Sequence, residues 1–361
     1  MHTVTPPRHA AGALPPALAN SGRRRLALGT ALGACLVAWP LAHATRREPA
    51  RLRESRPLMG TRVEIAALSA DPVLLRSAVD AAFARMAELT AVMSHFEPLS
   101  RVSAINLAAG LQPVVVPPEL MQVLRMAESI SRRSEGAFDI TIGTLGRWHF
   151  DPAQPQIPSP GYISSHLPDV DFNKLALDTR AGTAYLAKRG MRIDLGGIAK
   201  LYILQAGMDT LRTFGVEDVL INGGGDVLAA SGPHQRPWRV GIRDPHRPQR
   251  LLASLDIRRG FVASSGDYER YFVRDGRRYH HVLDPRTGYP TQGPNGVTLV
   301  GESLDSVNGV GTAAMVLETR AGRELIRRSG VQALIAGRDR SLWVTPSLQE
   351  RLLVPAAPGK A

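Results

Sequence analysis

Cysteine is almost missing from this 361-residue chain, and the single Cys35 excludes both an intrachain disulfide framework and a cysteine-rich zinc site. Long low-complexity tracts are absent as well. With 44% hydrophobic and 21% charged residues, the composition is that of a globular protein able to build a core, neither disordered nor collagen-like. No apolar run reaches the ~20 residues that a membrane-spanning helix needs. The net charge of +12 is not gathered into any Lys/Arg run that could track a phosphate backbone, so nucleic acid is not an expected partner. The Walker spacing and the full Rossmann glycine fingerprint are also lacking. Chemistry must therefore rest on oxygen, nitrogen and backbone groups.

The first 44 residues hold Arg8, Arg23, Arg24 and Arg25 and no acidic residue. Arg23-Arg24-Arg25 precedes an apolar run from Leu26 to Leu41, followed by Ala42-His43-Ala44 and a polar stretch. A positive segment, a short apolar segment and a small-x-small site describe an export signal, and the paired arginines resemble a twin-arginine signal. The expected division is a signal over 1–44, a linker over 45–56, one catalytic-type domain over 57–355 and a tail over 356–361. Leu32-Gly33-Ala34-Cys35 competes as a lipoprotein box, which would attach the chain to a membrane through Cys35. Apolar residues continue to Leu41, which favours cleavage after Ala44 and a periplasmic protein.

Apolar residues at threes and fours predict a helix from about Pro72 to Met93 and a second from about Pro117 to a stop at Gly136. Prolines and serines mark a loop between Gln154 and Pro168. From Thr183 onward short strands are expected at Ala184 to Ala187, Met191 to Asp194, Val219 to Asn222, Trp238 to Ile242, Leu251 to Ile257 and Tyr268 to Val273. An Asp275-Gly276 turn leads to another at Tyr279 to Leu283. Helices return at about Ser306 to Glu318 and Ala321 to Ser329, before strands at Val331 to Ala336 and Ser341 to Val344. Connections this short demand antiparallel pairing, so the fold class is α+β, with helices packed on antiparallel sheets.

Three segments carry chemistry. In Asp194-Leu195-Gly196-Gly197-Ile198-Ala199-Lys200 a strand, two glycines and a helix start make an anion site from unpaired N–H groups and the positive dipole end. Lys200 opposes that dipole, which makes sense if a phosphate or carboxylate lies between them; a tight turn with a solvated lysine is the plainer reading. Asn222-Gly223-Gly224-Gly225-Asp226 joins strand to strand, and its glycines serve either a close backbone approach or a plain hairpin turn. His280-His281-Val282-Leu283-Asp284-Pro285 ends a strand. Period two puts His281 and Leu283 on one face and His280, Val282 and Asp284 on the other, and the segment reads as a general base beside an Asp-Pro turn rather than a metal pair.

In this order the motifs resemble the ApbE family of bacterial flavin transferases. The likeness runs from Met59-Gly60-Thr61 through Met93-Ser94-His95-Phe96-Glu97-Pro98, with Ser100, Ser103 and Asn106, to Gly136-Ala137-Phe138-Asp139 and the Asp194 to Lys200 segment. It continues through Asn222 to Asp226, Ser264-Ser265-Gly266-Asp267-Tyr268 and His281 with Asp284-Pro285-Arg286-Thr287-Gly288, and ends at Thr312-Ala313. The resemblance implies duplicated T-fold-like units and magnesium-dependent transfer of FMN from FAD, the substrate, to a Thr or Ser hydroxyl of an exported or membrane-bound flavoprotein, with AMP released. It implies FAD contacts at Met59, Phe96, Ala137, Phe138, Asp139, Asp194, Lys200 and Val282. It further implies magnesium ligands at Gly197 and Thr312 and a base at His281, so that His281, Lys200 and Asp284 are the candidate catalytic residues.

The chain departs from the family pattern at Asn308, where an aspartate ligand is expected four residues before Thr312. An amide can offer magnesium an oxygen but no charge. In a continuous helix Asp305, Asn308 and Thr312 share one face, so Asp305 could substitute. Gly309 and Gly311 also replace helix formers, at about 1 kcal/mol each, and Leu201 and Gln205 replace a glycine and an acidic residue. Hydrolysis of FAD to FMN and AMP, or FAD binding without efficient catalysis, are the alternative activities.

Overall fold

A computed structural model describes residues 50–353 apart from 234 and 318. The expected export signal, Cys35, the first part of the linker and the tail lie outside the described residues. The rest of the expected linker is not a linker. Residues 50–56 belong to β1 (Ala50–Leu58), which pairs antiparallel with β2 (Thr61–Ser69) along its whole length. β1 is the sheet's edge, where arginines, Glu54 and Pro57 are tolerated because one side of the backbone has no neighbour strand. Its polar sequence hides it. The two strands turn through Met59 and Gly60, both left-handed at φ 54° and 67°.

α1 (Pro72–Met93) has the predicted limits. Asp71 caps it by accepting from the Val73 and Leu74 N–H groups, and Leu75, Val79, Ala82, Phe83 and Met86 form its buried stripe. α2 (Arg101–Leu107), β3 (Val114–Val115) and α3 (Pro118–Arg133) follow. The left-handed Gly136, at φ 80°, stops α3 by donating its N–H to Ser131 O at 2.8 Å. The expected loop from Gln154 to Pro168 contains α4 (Pro160–His166). Its serine and proline are not breakers there: Ser159 caps the helix and Pro160 sits at its first turn.

β4 (Leu175–Asp178) and β5 (Thr183–Leu186) pair in a small sheet with β3. The strand expected at Met191 to Asp194 joins no ladder. Other groups satisfy its backbone: the Asn106 side chain accepts from Ile193 N at 2.7 Å and donates to Ile193 O at 3.1 Å, and Asp194 N donates to Ile140 O at 2.8 Å. α5 (Ala199–Thr213) then starts one residue after the glycine pair.

β6 (Asp218–Gly223) and β7 (Asp226–Ala230) form a hairpin, as do β8 (Trp238–Asp244) and β9 (Arg247–Ile257). β10 (Arg259–Gly266) precedes β11 (Tyr271–Arg274) and β12 (Arg277–His280), so Tyr268 to Arg270, expected in a strand, are a turn. After β13 (Gly296–Gly301) the helix expected at Ser306 to Glu318 is broken. α6 (Leu304–Val307) ends at Asn308, Gly309 is left-handed at φ 74°, and α7 (Val310–Val316) starts afresh. Asp305 and Thr312 therefore lie on separate helices, not on one face. α8 (Thr319–Arg328), β14 (Gln332–Ala336), β15 (Leu342–Val344) and α9 (Pro346–Gln349) complete the described residues.

Every ladder is antiparallel, and eight strands form one sheet in the order β1-β2-β6-β7-β10-β13-β14-β15. One face, through Val63, Ile65, Ile221, Leu299 and Ala333, packs on α1, α5 and α7, with buried residues of α3 and α8 in the same core. The other, through Val227, Val262, Val300 and Leu334, packs on the β8–β9 hairpin and Leu348. Central strands are thus covered twice, which is why β7 is buried at all five positions and shows no alternation. A third cluster around Leu145, Trp148 and Ile163 supports Tyr279, Leu283 and Tyr289.

Candidate active site

The start of α5 is the centre of the site. Ile198 occupies the cap position and offers no side-chain acceptor, so the first-turn N–H groups of Lys200 and Leu201 have no side-chain partner. Lys200 is half-buried and its Nζ lies 3.0 Å from Asp226 Oδ2. The cation that opposes the helix dipole is thus balanced by a carboxylate from β7, whose other oxygen accepts from Ser264 N at 3.0 Å. The tight turn of the plainer reading is present, but its lysine is held rather than solvated.

Upstream, Asp194 Oδ1 accepts the Gly196 N–H at 2.7 Å and lies 3.2 Å from His95 Nδ1. Burial alone would raise this carboxyl. The His95 hydrogen bond and charge, the Gly196 N–H and the charge of Arg270 outweigh it and hold the group below the usual carboxylate range. The His95 ring lies against Phe96 with centroids 3.9 Å apart and the planes tilted by 38°, and Phe96 is 77% exposed. Phe96 is therefore an open apolar surface at the edge of the site.

Gly197 is pressed against Phe138 and α7. A Cβ there would lie 3.1 Å from the Phe138 ring and 3.8 Å from Thr312 Oγ1, while a Cβ on Gly309 would meet the same ring at 3.5 Å. Asn308 is buried, and its Nδ2 donates to Ile198 O at 2.9 Å. The amide nitrogen is thereby used, which leaves Oδ1 as the group able to face a cation. Gly311 is a packing requirement rather than a helix defect, because its Cβ would stand 2.8 Å from Ser265 Oγ. Asp305 is exposed on α6, and its backbone carbonyl faces Arg133. Its expected place on one stripe with Asn308 and Thr312 is corrected by the helix break.

His281 follows β12. The Arg270 carbonyl accepts both the His281 backbone N–H, at 3.2 Å, and its Nδ1–H, at 3.3 Å. That assignment leaves Nε2 with a free lone pair. Burial first, then the charge of Arg270, and further the charges of His280 and Lys200, push the imidazole down to about 3. The predicted alternation holds: His280, Val282 and Asp284 are buried, whereas His281 and Leu283 are only half-buried.

Other expected site residues form the floor or its supports. Ala137, Phe138 and Val282 are buried in the core. Asp139 is closed on its own turn and on the Phe172 backbone, accepting from Thr141 N, Thr141 Oγ1 and Phe172 N at 2.7–2.8 Å; burial raises its carboxyl despite these bonds. Asp284 holds the Arg286 guanidinium at 2.9 and 3.0 Å, and Arg286 also donates to Val316 O, so Asp284 ties its turn to α7 and is not placed as a proton carrier. Met59 stands in the β1–β2 turn, next to Thr61, against which Gly224 packs so closely that a Cβ would lie 2.5 Å from Thr61 Oγ1. Both readings of the glycine triplet are thus realised, a hairpin turn and a close approach. Arg270 was not legible in the sequence. It has no motif spacing and enters the site only because the turn before β11 folds over His281.

The Gly197 carbonyl and the side-chain oxygens of Asn308 and Thr312 are neutral donors of the kind a hard cation accepts. Among the described residues no cluster of three or more His, Cys, Asp or Glu could hold a metal. Residues 59–335 match the ApbE family profile. A curated relative from Treponema pallidum, named FAD:protein FMN transferase, is 30% identical over 84% of this chain and 90% of that one. Another of that name from Klebsiella pneumoniae is 38% identical over 58% of this chain and 65% of its own. The crystal structure of the ApbE protein from Thermotoga maritima covers 84% of this chain and 99% of its own, with a TM-score of 0.77 and 29% identity. With its profile matched across the whole site and its fold shared with that structure, the chain belongs to the ApbE family.

Proposed function

We propose that this protein transfers FMN from FAD to a threonine or serine hydroxyl of an acceptor protein, releasing AMP. The observation that carries the reading is the His281 geometry. A carbonyl fixes its Nδ1–H, its Nε2 is free, and its ring lies within the field of Lys200 at the start of α5. The names of the relatives, FAD:protein FMN transferase, support the same chemistry.

In this mechanism the FAD pyrophosphate docks at the α5 N-terminus, against unpaired N–H groups and Lys200. Phe138 and Val282 form the apolar floor, and exposed Phe96 offers a face to a flat ring. His281 Nε2 takes the acceptor hydroxyl proton as its oxygen bonds to the FMN-side phosphorus. The bond from that phosphorus to the bridging oxygen breaks, and AMP leaves with the electron pair. Gly197 carbonyl, Asn308 Oδ1 and Thr312 Oγ1 would hold magnesium, whose charge supplies electrostatic stabilisation to the pyrophosphate when bound. Asp305 is not included in this set.

The motif around Arg23-Arg24-Arg25 supports export by the twin-arginine route, which would place the enzyme and its acceptor in the periplasm or at the membrane. The test of function is incubation with FAD, magnesium and an exported flavoprotein acceptor, followed by mass spectrometry. A covalent FMN adduct on Thr or Ser supports transfer, whereas free FMN and AMP without an adduct would support hydrolysis instead.

A further inference from the structure

α8 has two unlike faces. Gly322, Leu325 and Ile326 are buried, while Arg320, Arg323 and Arg327, three and four residues apart, form the opposite stripe. That stripe stands against Trp343 of edge strand β15, and together with Thr319 these residues line an open cleft of about 460 Å³. The Arg323 guanidinium lies over the indole, 5.1 Å from the ring centroid. Its Nε is buried and, among the described residues, has no hydrogen-bond acceptor.

Arg327 pairs with Glu324 at 2.7 Å. Among the described residues, no acidic group pairs with Arg320 or Arg323. Carboxylates three or four residues away stabilise arginines on a helix surface, and a buried polar atom without a partner is uncommon in a folded chain. Among the described residues, two uncompensated guanidiniums thus converge on one concavity beside an aromatic ring. One carboxylate would neutralise one of them. A phosphate monoester, carrying nearly two charges and several acceptor oxygens, matches both through the planar fork of arginine.

We propose that the cleft between α8 and β15 is a second anion site, separate from the flavin site, which binds a phosphate monoester between Arg320 and Arg323 beside Trp343. The monoester can be a soluble metabolite or the headgroup of a lipid such as phosphatidic acid. Neither source takes part in the proposed transfer reaction.

The test follows the indole N–H resonance of Trp343 in the full chain, assigned by its loss in Trp343→Phe, during titration with inorganic phosphate and glycerol 3-phosphate. The resonance should shift saturably. Arg320 is exposed and, among the described residues, has no acidic partner, so Arg320→Glu should keep the fold and raise the half-saturation point about tenfold or more. Arg323→Lys, which keeps the charge but loses the fork, should weaken binding as well. Sedimentation with phosphatidic acid vesicles, against phosphatidylcholine vesicles, identifies the source. Co-sedimentation assigns the lipid, and saturable shifts without it assign the soluble ester. No shift with either phosphate and no preference for phosphatidic acid would overturn the proposal, as would a shift that Arg320→Glu leaves unchanged. FMN transfer by Arg320→Glu should equal wild type, which separates this site from the catalytic one.

Discussion

His281 and Arg270 are joined twice through one atom: the Arg270 carbonyl oxygen receives the backbone N–H of His281 at 3.2 Å and its Nδ1–H at 3.3 Å. The double bond of contact sets both where the ring stands and which nitrogen is free. The neighbouring His280 is employed differently. It is 1% exposed and its Nε2 donates to Thr291 O at 3.0 Å.

Replacing the two histidines should therefore separate catalysis from folding. His281→Ala should retain FAD and slow transfer by ~10²- to 10⁴-fold, the usual worth of a positioned base. His280→Ala should lower the melting temperature, because losing a buried hydrogen bond costs about 1–3 kcal/mol. Single-turnover transfer and thermal unfolding of both variants check this. Equal loss of FAD affinity and rate in His281→Ala would make that histidine structural.

Stability should depend on pH with a definite sign. The His281 imidazole is pushed from 6.5 to about 3, chiefly by burial, and burial also lowers His280. Between those values the unfolded chain binds a proton that the folded chain refuses, so stability falls as pH drops from 6.5 toward 3 and is unaffected by this group above 6.5. Thermal melts across that window should show a shallower slope for His281→Asn than for wild type. Superimposable slopes would mean that the ring is not held neutral.

Lys200 and Asp226 make a pre-formed pair at 3.0 Å. Lys200→Ala should weaken FAD by roughly 10- to 100-fold, equal to ~1.5–3 kcal/mol for a charge-assisted contact, and should weaken riboflavin much less. Calorimetry with both ligands decides it. Identical losses for the two would remove Lys200 from the pyrophosphate site.

The broken helix changes what is expected of the metal ligands. Asn308→Asp removes the donor to Ile198 O and sets a buried carboxylate near a carbonyl, costing about 1–3 kcal/mol without metal. Magnesium should then raise the melting temperature more in this variant than in wild type, since an anionic oxygen binds a hard cation better than an amide does. Asp305→Ala should leave the magnesium response as it is. An unchanged magnesium response in Asn308→Asp would remove position 308 from the metal site, and a lost response in Asp305→Ala would restore Asp305.

Elements whose sequence shows one buried face were legible: α1 was found to the residue, and the strands beginning at Trp238 and ending at Ile257 were found from their alternation. β1, as a polar edge, and β10 and β13, covered on both faces and rich in small residues, carry no period-two signal. The broken helix at Asn308 is the same lesson at the site. Its apolar periodicity continues across Gly309, while the backbone turns left-handed where a Cβ would press on Ile130 and Phe138. Motif order singled out His281, Lys200 and Gly197 as candidates. Only tertiary structure shows that Asp139 is closed on its own turn and Phe172, that Asp284 holds Arg286, that Asp226 holds Lys200, and that the Arg270 carbonyl fixes the His281 ring.

The most direct test combines His281 with the bond that is formed. Wild type and His281→Ala, each with FAD, magnesium and an exported flavoprotein acceptor, are assayed for released AMP and for covalent FMN on the acceptor by mass spectrometry. Wild type should release one AMP for each FMN attached to a Thr or Ser, and His281→Ala should be FAD-bound but nearly silent. AMP released with only free FMN, or an acceptor flavinylated at wild-type rate by His281→Ala, would contradict this.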